Sequence, residues 1–538
     1  YGTLTGLPIF PPEWVFEPWA GGGGGRWRNG PLQDIALEQM AAMKKFHELD
    51  IPHSGFYAEG AGATFYGEYK KEELYKVVSF GERHGFKVFS WQFPNMTQEL
   101  AQELLPECPK EELPITRNKN DEEEKLPVYI DFSHPRAKEL LAAQWKDRMD
   151  AGIRGSMVDF GDVVPDEAVF YDGRRGDEMH NAYAYQYAKN YRELFEQKYG
   201  DDHVLYTRGA APGSQHFACQ FGGDQLTSFQ GLKYAIAGGL SAAASGLPFW
   251  GVDAGGYDGF PDQETYLRWT EYAAFCPLMR FHGTEPREPW EYDAFTVKVY
   301  RYYTWLRENL RPYIVSVAAE AHKLGIPMMR PLAMMYPEDQ EATKVWDEYL
   351  FGEDLLVAPV SDETEEREIY FPEGRWISLW NLNDEISGPV QRSVEVPIDK
   401  IPVYIREGSF LPLRLNESLK LGESMSESET EMILAVVPQN DSIVKETLYE
   451  RSGAKTCCGM EKNGETIQLQ ISGRTAELYV MLAGIHWKNT EAIVNGRTLT
   501  KVTAREGLYF TEGYLELEEG ILVKINPSAE SVIKIQKK

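Results

Sequence analysis

The sequence is short of cysteine and of basic residues. Its 538 residues hold five cysteines: Cys108, Cys219, Cys276, Cys457 and Cys458. So few in so long a chain cannot build a disulfide framework, and an odd count favours a reducing, cytoplasmic setting. No CxxC, HExxH or HxH occurs, so no zinc-ligand pattern is present, and neither a metal nor another cofactor is expected. Lys and Arg number 55 against 83 Asp and Glu, a formal net charge of −28. That deficit argues against nucleic acid and anionic membrane surfaces as partners, since both need basic patches. No apolar run approaches the roughly 18–20 residues of a membrane span. No signal peptide and no internal repeat are visible. The chain opens at Tyr1 instead of Met, which reads as trimming or an excerpt.

What is present is ordinary globular material. Hydrophobic residues make up 43% and charged residues 26%, which excludes a wholly disordered chain. At about 150 residues per domain, the length suggests three domains or one large barrel with smaller modules. Aromatic residues reach 13%, including 13 Trp and 30 Tyr. Flat amphipathic rings suit sugar faces as well as protein cores.

The first 325 residues alternate short apolar strands with amphipathic helices. Strands are predicted at 15–19, 55–59, 87–92, 156–160, 204–208, 217–221, 248–253 and 279–282, with helices at 32–49, 71–84, 136–149, 181–199, 229–245 and 263–275. Within the first helix Ile35, Leu37, Met40, Met43 and Phe46 recur at helical spacing. Eight strands with intervening helices predict a (β/α)8 barrel over 1–325. The gap between the fifth and sixth strands is too short for a full helix. The charged, Pro-bearing stretch 108–126 reads as a surface insertion. A long helix at 297–324 closes this part. Beyond it short strands and turns dominate, predicting a proximal β-sandwich over 326–415 and a distal β domain over 416–538, with the polar stretch 416–430 as a linker.

Barrel enzymes carry their chemistry where strands end. The polar and aromatic residues at the predicted strand ends are Glu17, Trp19, Glu59, Trp91, Gln92, Asp159, Asp162, Arg208, Asp224, Asp253 and His282. Acids dominate, with Trp and Arg beside them. Two carboxylates across one cavity suit glycoside hydrolysis, where one attacks the anomeric carbon and the other protonates the leaving oxygen. Pattern alone leaves Asp159, in GSMVDFGDVVP, and Asp224, in FGGDQ, equally open to helix-capping or loop roles.

Several longer stretches carry a family likeness. LTGLPIFPPEW, VYIDFSHPRAKE, MVDFGDVVPDEAV with MHNAYAYQYAKNYRE, TRGAAPGSQHFACQFGGDQLTSFQGL, GLPFWGVDAGGY, LRWTEYAAFCPLMRFHG, MRPLAMMYPED and YLFGEDLLVAPV follow one another in order. The sequence resembles glycoside hydrolase family 31, the retaining α-glycosidases, over roughly residues 5–415. Its nucleophile region is nearest the sulfoquinovosidase-like branch. The resemblance implies Asp159 as nucleophile and Asp224 as general acid and base. It implies Arg208, Asp253 and His282 as binders of sugar hydroxyls, with Glu59 beside them and Trp19, Trp91 and Trp250 lining a sugar-stacking pocket. Its substrate would be an oligosaccharide or glycoside, and a homo-oligomer is compatible with it.

Departures bear on substrate. The second-strand segment reads GFYAEGAGATFYG, with Gly where α-glucosidases of the family carry Asp. Ala63, Thr64 and Tyr66 stand where the sulfoquinovosidase branch grips a sulfonate, which argues against a sulfosugar. Gly161-Asp162 follows the nucleophile motif where Asn-Glu or Gly-Glu is usual, and Phe221 replaces a Trp before Asp224. The family carries an N-terminal β-sandwich before the barrel, whereas this chain starts almost at the barrel, which reads as an absent or separately held domain. The glycine run 21–25 reads as a mobile loop or a close sugar-backbone approach. The expected activity is that of a retaining exo-acting α-glycosidase of α-glucosidase or α-galactosidase/α-N-acetylgalactosaminidase type. The alternative is a catalytically impaired carbohydrate-binding homologue. A metal-dependent barrel hydrolase is disfavoured, because only His282 among strand-end residues is a histidine.

Overall fold

The structure, a computed structural model, describes residues 2–22, 32–62, 69–117, 128–426, 431–440, 442–474, 476–509 and 511–538. The chain divides into two compact units, Tyr1–Lys298 with His322–Ile326, and Val299–Ala321 with Pro327–Lys538.

The first unit is the barrel. Seven parallel strands stand side by side in chain order: β1 (Trp19–Gly22), β2 (Gly55–Ala58), β3 (Lys87–Gln92), β4 (Gly155–Val158), β5 (Val204–Thr207), β6 (Cys219–Phe221) and β7 (Trp250–Gly251). Outer helices include α1 (Leu32–Glu48), α2 (Lys71–Arg83), α3 (Ala137–Ala151), α4 (Gly176–Tyr199), α5 (Phe229–Ala244) and α6 (Gln263–Ala274). Between β5 and β6 only a 3-10 turn, Ser214–His216, fits.

The eighth stave, predicted at 279–282, is not a continuous ladder. Leu278 bridges Gly251 and Arg280 bridges Trp19, both parallel. Backbone hydrogen bonds close the ring, among them Trp19 N to Met279 O (2.8 Å), Phe281 N to Trp19 O (3.0 Å), Leu278 N to Trp250 O (3.0 Å) and Ala254 N to Arg280 O (3.0 Å). Gly21 makes that approach possible, because a Cβ there would sit 2.6 Å from the Phe281 carbonyl. Residues 23–25 of the glycine run lie outside the described residues.

The first strand also differs from expectation. Val15 and Phe16 lie in a 3-10 turn, Glu13–Phe16, and the strand begins at Trp19. Pro18 has no N–H to donate, so the ladder starts after it. This shift reverses the reading of Trp19. It enters the strand instead of ending it, and is 1% exposed in the barrel interior, edge-on to Phe89 (4.9 Å) and Tyr206 (5.9 Å).

The second unit is β-rich, apart from the part of the long helix α7 (Ala294–Leu324) that falls in it. One six-stranded sheet joins β8 (Met329–Pro331), β9 (Tyr349–Phe351), β10 (Leu355–Val357), β11 (Glu366–Ser378), β12 (Glu385–Glu395) and β13 (Val403–Arg406), in the order β8-β9-β10-β13-β11-β12. The stretch 349–360 is not one continuous strand. Gly352, at φ 70°, turns it into the antiparallel pair β9 and β10. Two further six-stranded sheets, beginning at Phe410–Leu415 and Ile443–Tyr449, enclose a shared core of Leu434, Val480, Ile467, Leu469, Ile533 and their neighbours.

Trp19 makes the barrel interior testable. Trp19→Ala should cost roughly 3–5 kcal/mol of stability, as large-to-small core substitutions do. Denaturant unfolding followed by circular dichroism reads the loss.

Candidate active site

A cavity of about 570 Å³ opens on the barrel and is lined by Tyr57, Trp91, Phe93, Asn95, Tyr129, Met157, Asp159, Phe160, Val163, Asp224, Tyr257, Asp258 and His282. Tyr57, Met157 and Asp159 come from the ends of β2 and β4 or the residue just beyond. The cavity has two ends. Tyr57, Met157, Asp159 and His282 are buried, whereas Phe160 (39% exposed), Val163 (53% exposed), Asp224 and Asp258 are open to solvent.

Asp159 follows β4 directly and is 4% exposed. The indole of Trp91 donates to its Oδ2 at 3.0 Å, and the Phe160 N–H donates to its Oδ1 at 2.9 Å. Phe160 itself adopts a left-handed backbone conformation, φ 59°. A side-chain-bearing residue enters that region at a cost of about 1–2 kcal/mol. Arg208, at the end of β5, brings Nη1 to 3.4 Å from Asp159 Oδ1. Burial raises the Asp159 carboxyl above its ordinary range, while Arg208, Trp91 and the Phe160 amide pull it back.

Asp224 sits after β6 at the open end. Partial burial and then the Asp159 charge raise its carboxyl too. The two acids therefore share one cavity and couple electrically, each in a different solvent environment.

His282 lies just beyond the eighth stave and is 4% exposed. Its ring meets Tyr57 edge-on at 4.4 Å and tilts against Tyr257 at 5.5 Å. Trp91 is half-buried at the wall. The side chain of Glu59, and Ala63, Thr64 and Tyr66, lie outside the described residues.

Three expected sugar contacts are not on the cavity wall. Trp19 is inside the barrel. Trp250 is buried, and its ring lies 2.8–2.9 Å from where Cβ atoms on Gly222 and Gly239 would stand, so it packs outward against α5. Asp253 is wholly buried behind the cavity, paired with Arg280 at 2.7 Å. That guanidinium lies over the rings of Tyr57 (5.3 Å), Tyr206 (4.8 Å) and Phe221 (5.5 Å). Burial pushes the Asp253 carboxyl up to about 7 against the pull of Arg280. Arg208 also reaches the site through Asp159 and does not line the cavity itself.

Sequence reasoning missed Tyr257 and Asp258, on the loop after β7, and the residue that fixes that loop. Arg287 is buried and donates from Nη2 to the carbonyls of Gly256 (2.6 Å), Gly259 (2.8 Å) and Tyr257 (3.2 Å). The glycines of GVDAGGYDGF were the available signal, since they leave carbonyls open to a long donor. Among the described residues no three His, Cys, Asp or Glu side chains converge so as to hold a metal ion, and no helix is long and apolar enough to cross a membrane.

The glycosyl hydrolases family 31 TIM-barrel domain matches residues 9–317, and the family's C-terminal domain matches residues 325–411. The chain belongs to glycosyl hydrolase family 31. Within family 31 it is 28% identical over 591 aligned positions to an isomaltosyltransferase of Sporosarcina globispora, covering 99% of this chain and 53% of that protein. It is 32% identical to an alpha-xylosidase of Saccharolobus solfataricus, covering 80% of this chain and 58% of that protein. The cycloalternan-forming enzyme from Listeria monocytogenes, solved with a pentasaccharide substrate, superposes with a TM-score of 0.87 at 23% identity, over all of this chain and 55% of its own. At that identity the likeness is one of fold. The chain spans about half the length of these family 31 relatives.

The buried pair under the cavity gives a stability test. Asp253→Ala leaves the Arg280 charge buried without its partner and should cost roughly 3–5 kcal/mol. Asp253→Ala combined with Arg280→Met should recover part of that loss in urea unfolding.

Proposed function

We propose that this chain is the catalytic part of a retaining, exo-acting α-glycosidase that removes terminal α-linked sugars from oligosaccharides or glycosides. One observation carries the reading: Asp159 and Asp224 line the same cavity, the first buried at its closed end and the second exposed at its open end. A cavity with buried residues at one side and exposed ones at the other can accept the end of a chain, which suits exo action. The names of the relatives, an isomaltosyltransferase and an alpha-xylosidase, support α-linked sugars as the substrate class.

In this reading Asp159 attacks the anomeric carbon while Asp224 gives its proton to the departing oxygen. The bond from anomeric carbon to leaving oxygen breaks as the glycosyl ester forms. Asp224, now ionised, takes a proton from water, whose oxygen displaces Asp159 and completes a second inversion. Trp91, the Phe160 amide and Arg208 stabilise the charged form of Asp159. The Asp159 charge makes Asp224 hold its proton more tightly, because a second negative charge beside the first is unfavourable. The neutral aromatic wall of Tyr57, Trp91, Phe93 and Tyr257 suits an uncharged sugar.

Asp159→Ala should lower hydrolysis of aryl α-glycosides by roughly 10⁴-fold or more, since nucleophile and acid act as a unit. Azide distinguishes the roles. Asp159→Ala with azide undergoes one inversion and should give the β-glycosyl azide, whereas Asp224→Ala undergoes two and should give the α-glycosyl azide. Full activity of Asp159→Ala, or exchanged products, overturns the reading, and inert protein across a panel of aryl α-glycosides differing in glycone points to a binding homologue instead.

The pH profile of kcat/KM should be bell-shaped. Rate is lost at low pH as Asp159 gains a proton, and at high pH as Asp224 loses one. Both carboxyls are raised, so both limbs should lie above the ordinary carboxylate range.

A further inference from the structure

The loop after β4 reads Asp-Phe-Gly-Asp and carries two carboxylates three residues apart, at 159 and 162. Both face one guanidinium. Arg208 donates from Nη2 and Nε to Asp162 Oδ1 at 3.1 and 3.3 Å, but stays 3.4 Å from Asp159 Oδ1. Its flat face rests 4.1 Å from the centre of the Phe160 ring. The loop is held tightly. A Cβ on Gly161 would strike the Tyr187 ring at 2.7 Å, and one on Gly209 would meet the Asp162 amide nitrogen at 2.9 Å. Arg208 is thus anchored by Asp162 and Phe160 and leans on Asp159 from a longer distance.

We propose that Asp162 is a positioning residue which tethers Arg208 and so keeps the guanidinium from closing on Asp159. This rests on the reading of Asp159 as nucleophile. The chemistry asks for an intermediate strength of contact. A guanidinium seated squarely on Asp159 forms a strong charge-assisted pair and competes with the anomeric carbon for the same lone pairs. A guanidinium withdrawn altogether leaves a buried carboxylate that prefers to stay protonated. Asp162 holds Arg208 between these limits, and the exposed side of Asp162 (42%) keeps that second carboxylate solvated.

Other groups act on the Asp159 charge from neighbouring elements. They are Asp224 after β6, Asp253 after β7, Tyr187 on α4, Arg208 after β5 and the Trp91 indole on β3. Of these, Arg208 alone is hydrogen-bonded to Asp162, so a change at Asp162 acts on Asp159 through Arg208 and through the charge of Asp162 itself.

The test is the pH profile of kcat/KM for an aryl α-glycoside in the wild type, Asp162→Asn, Asp162→Ala and Asp162→Glu. Asp162→Asn keeps an acceptor for Arg208 and removes one negative charge near Asp159. Its acid limb should move down by about half to one pH unit. Asp162→Ala frees the guanidinium to close on Asp159, and kcat should fall by roughly ten- to a hundredfold, with Asp162→Glu restoring it. A purely structural residue would lower the rate without moving the limb, so an acid limb that stays put or rises in the isosteric Asp162→Asn overturns the proposal. Trapping the wild type with a fluorinated glycosyl fluoride separates the two claims. An ester on Asp159 together with a wild-type kcat in Asp162→Ala sinks the tether alone, and an ester on a different residue sinks the nucleophile reading beneath it.

Discussion

A guanidinium and a carboxylate, locked away from water at the head of the barrel, set the terms for the rest of the site. Arg280 and Asp253 lie 2.7 Å apart, and both are almost wholly buried. Neither charge is tolerable alone in that environment. The rings of Tyr57, Tyr206 and Phe221 surround the guanidinium, so its positive charge is met by aromatic faces as well as by Asp253. Tyr57 in turn bears on His282 and forms part of the cavity wall. The floor of the site therefore rests on a charge pair that neither partner can leave without a large cost.

Three aspartates, 159, 224 and 253, sense one another across this region. They are chemically identical and differ only in surroundings. Asp253 has a cation to itself, Asp159 shares one with Asp162, and Asp224 has solvent. Those differences suffice to separate a structural carboxylate from the proposed nucleophile and acid without any change of residue type. The formal charge of −28 plays no part in this. What counts is where two arginines, Arg208 and Arg280, are placed.

Much of the barrel was legible in the sequence. The strand at 87–92 occupies the residues expected, and the ends of β2, β4 and β5 lie within one or two residues of the reading. Apolar runs bounded by helices are strong signals for parallel strands. Asp159 and Asp224 were legible because acids after such runs fall at the strand ends. The direction in which a side chain points was not legible. Parallel strands are covered on both faces, so an apolar run does not distinguish inward from outward residues. The sequence therefore could not say on which side of the wall Trp19 and Trp250 stand. Arg287 and the Tyr257–Asp258 pair were invisible for another: loop carbonyls gathered by a distant donor leave no periodic trace. The left-handed backbone at Phe160, between Asp159 and Asp162, is likewise concealed by the residue type.

The last stave of the barrel is also its thinnest plank. It joins its neighbours by single parallel bridges where they have ladders, and His282 stands at its end. Local opening follows the weakest set of backbone bonds. Warming would therefore loosen the plank while the seven-stranded wall still stands, and the cavity would lose its histidine before the protein lost its shape. Occupancy of the cavity, which draws on that ring, would splint the joint from within.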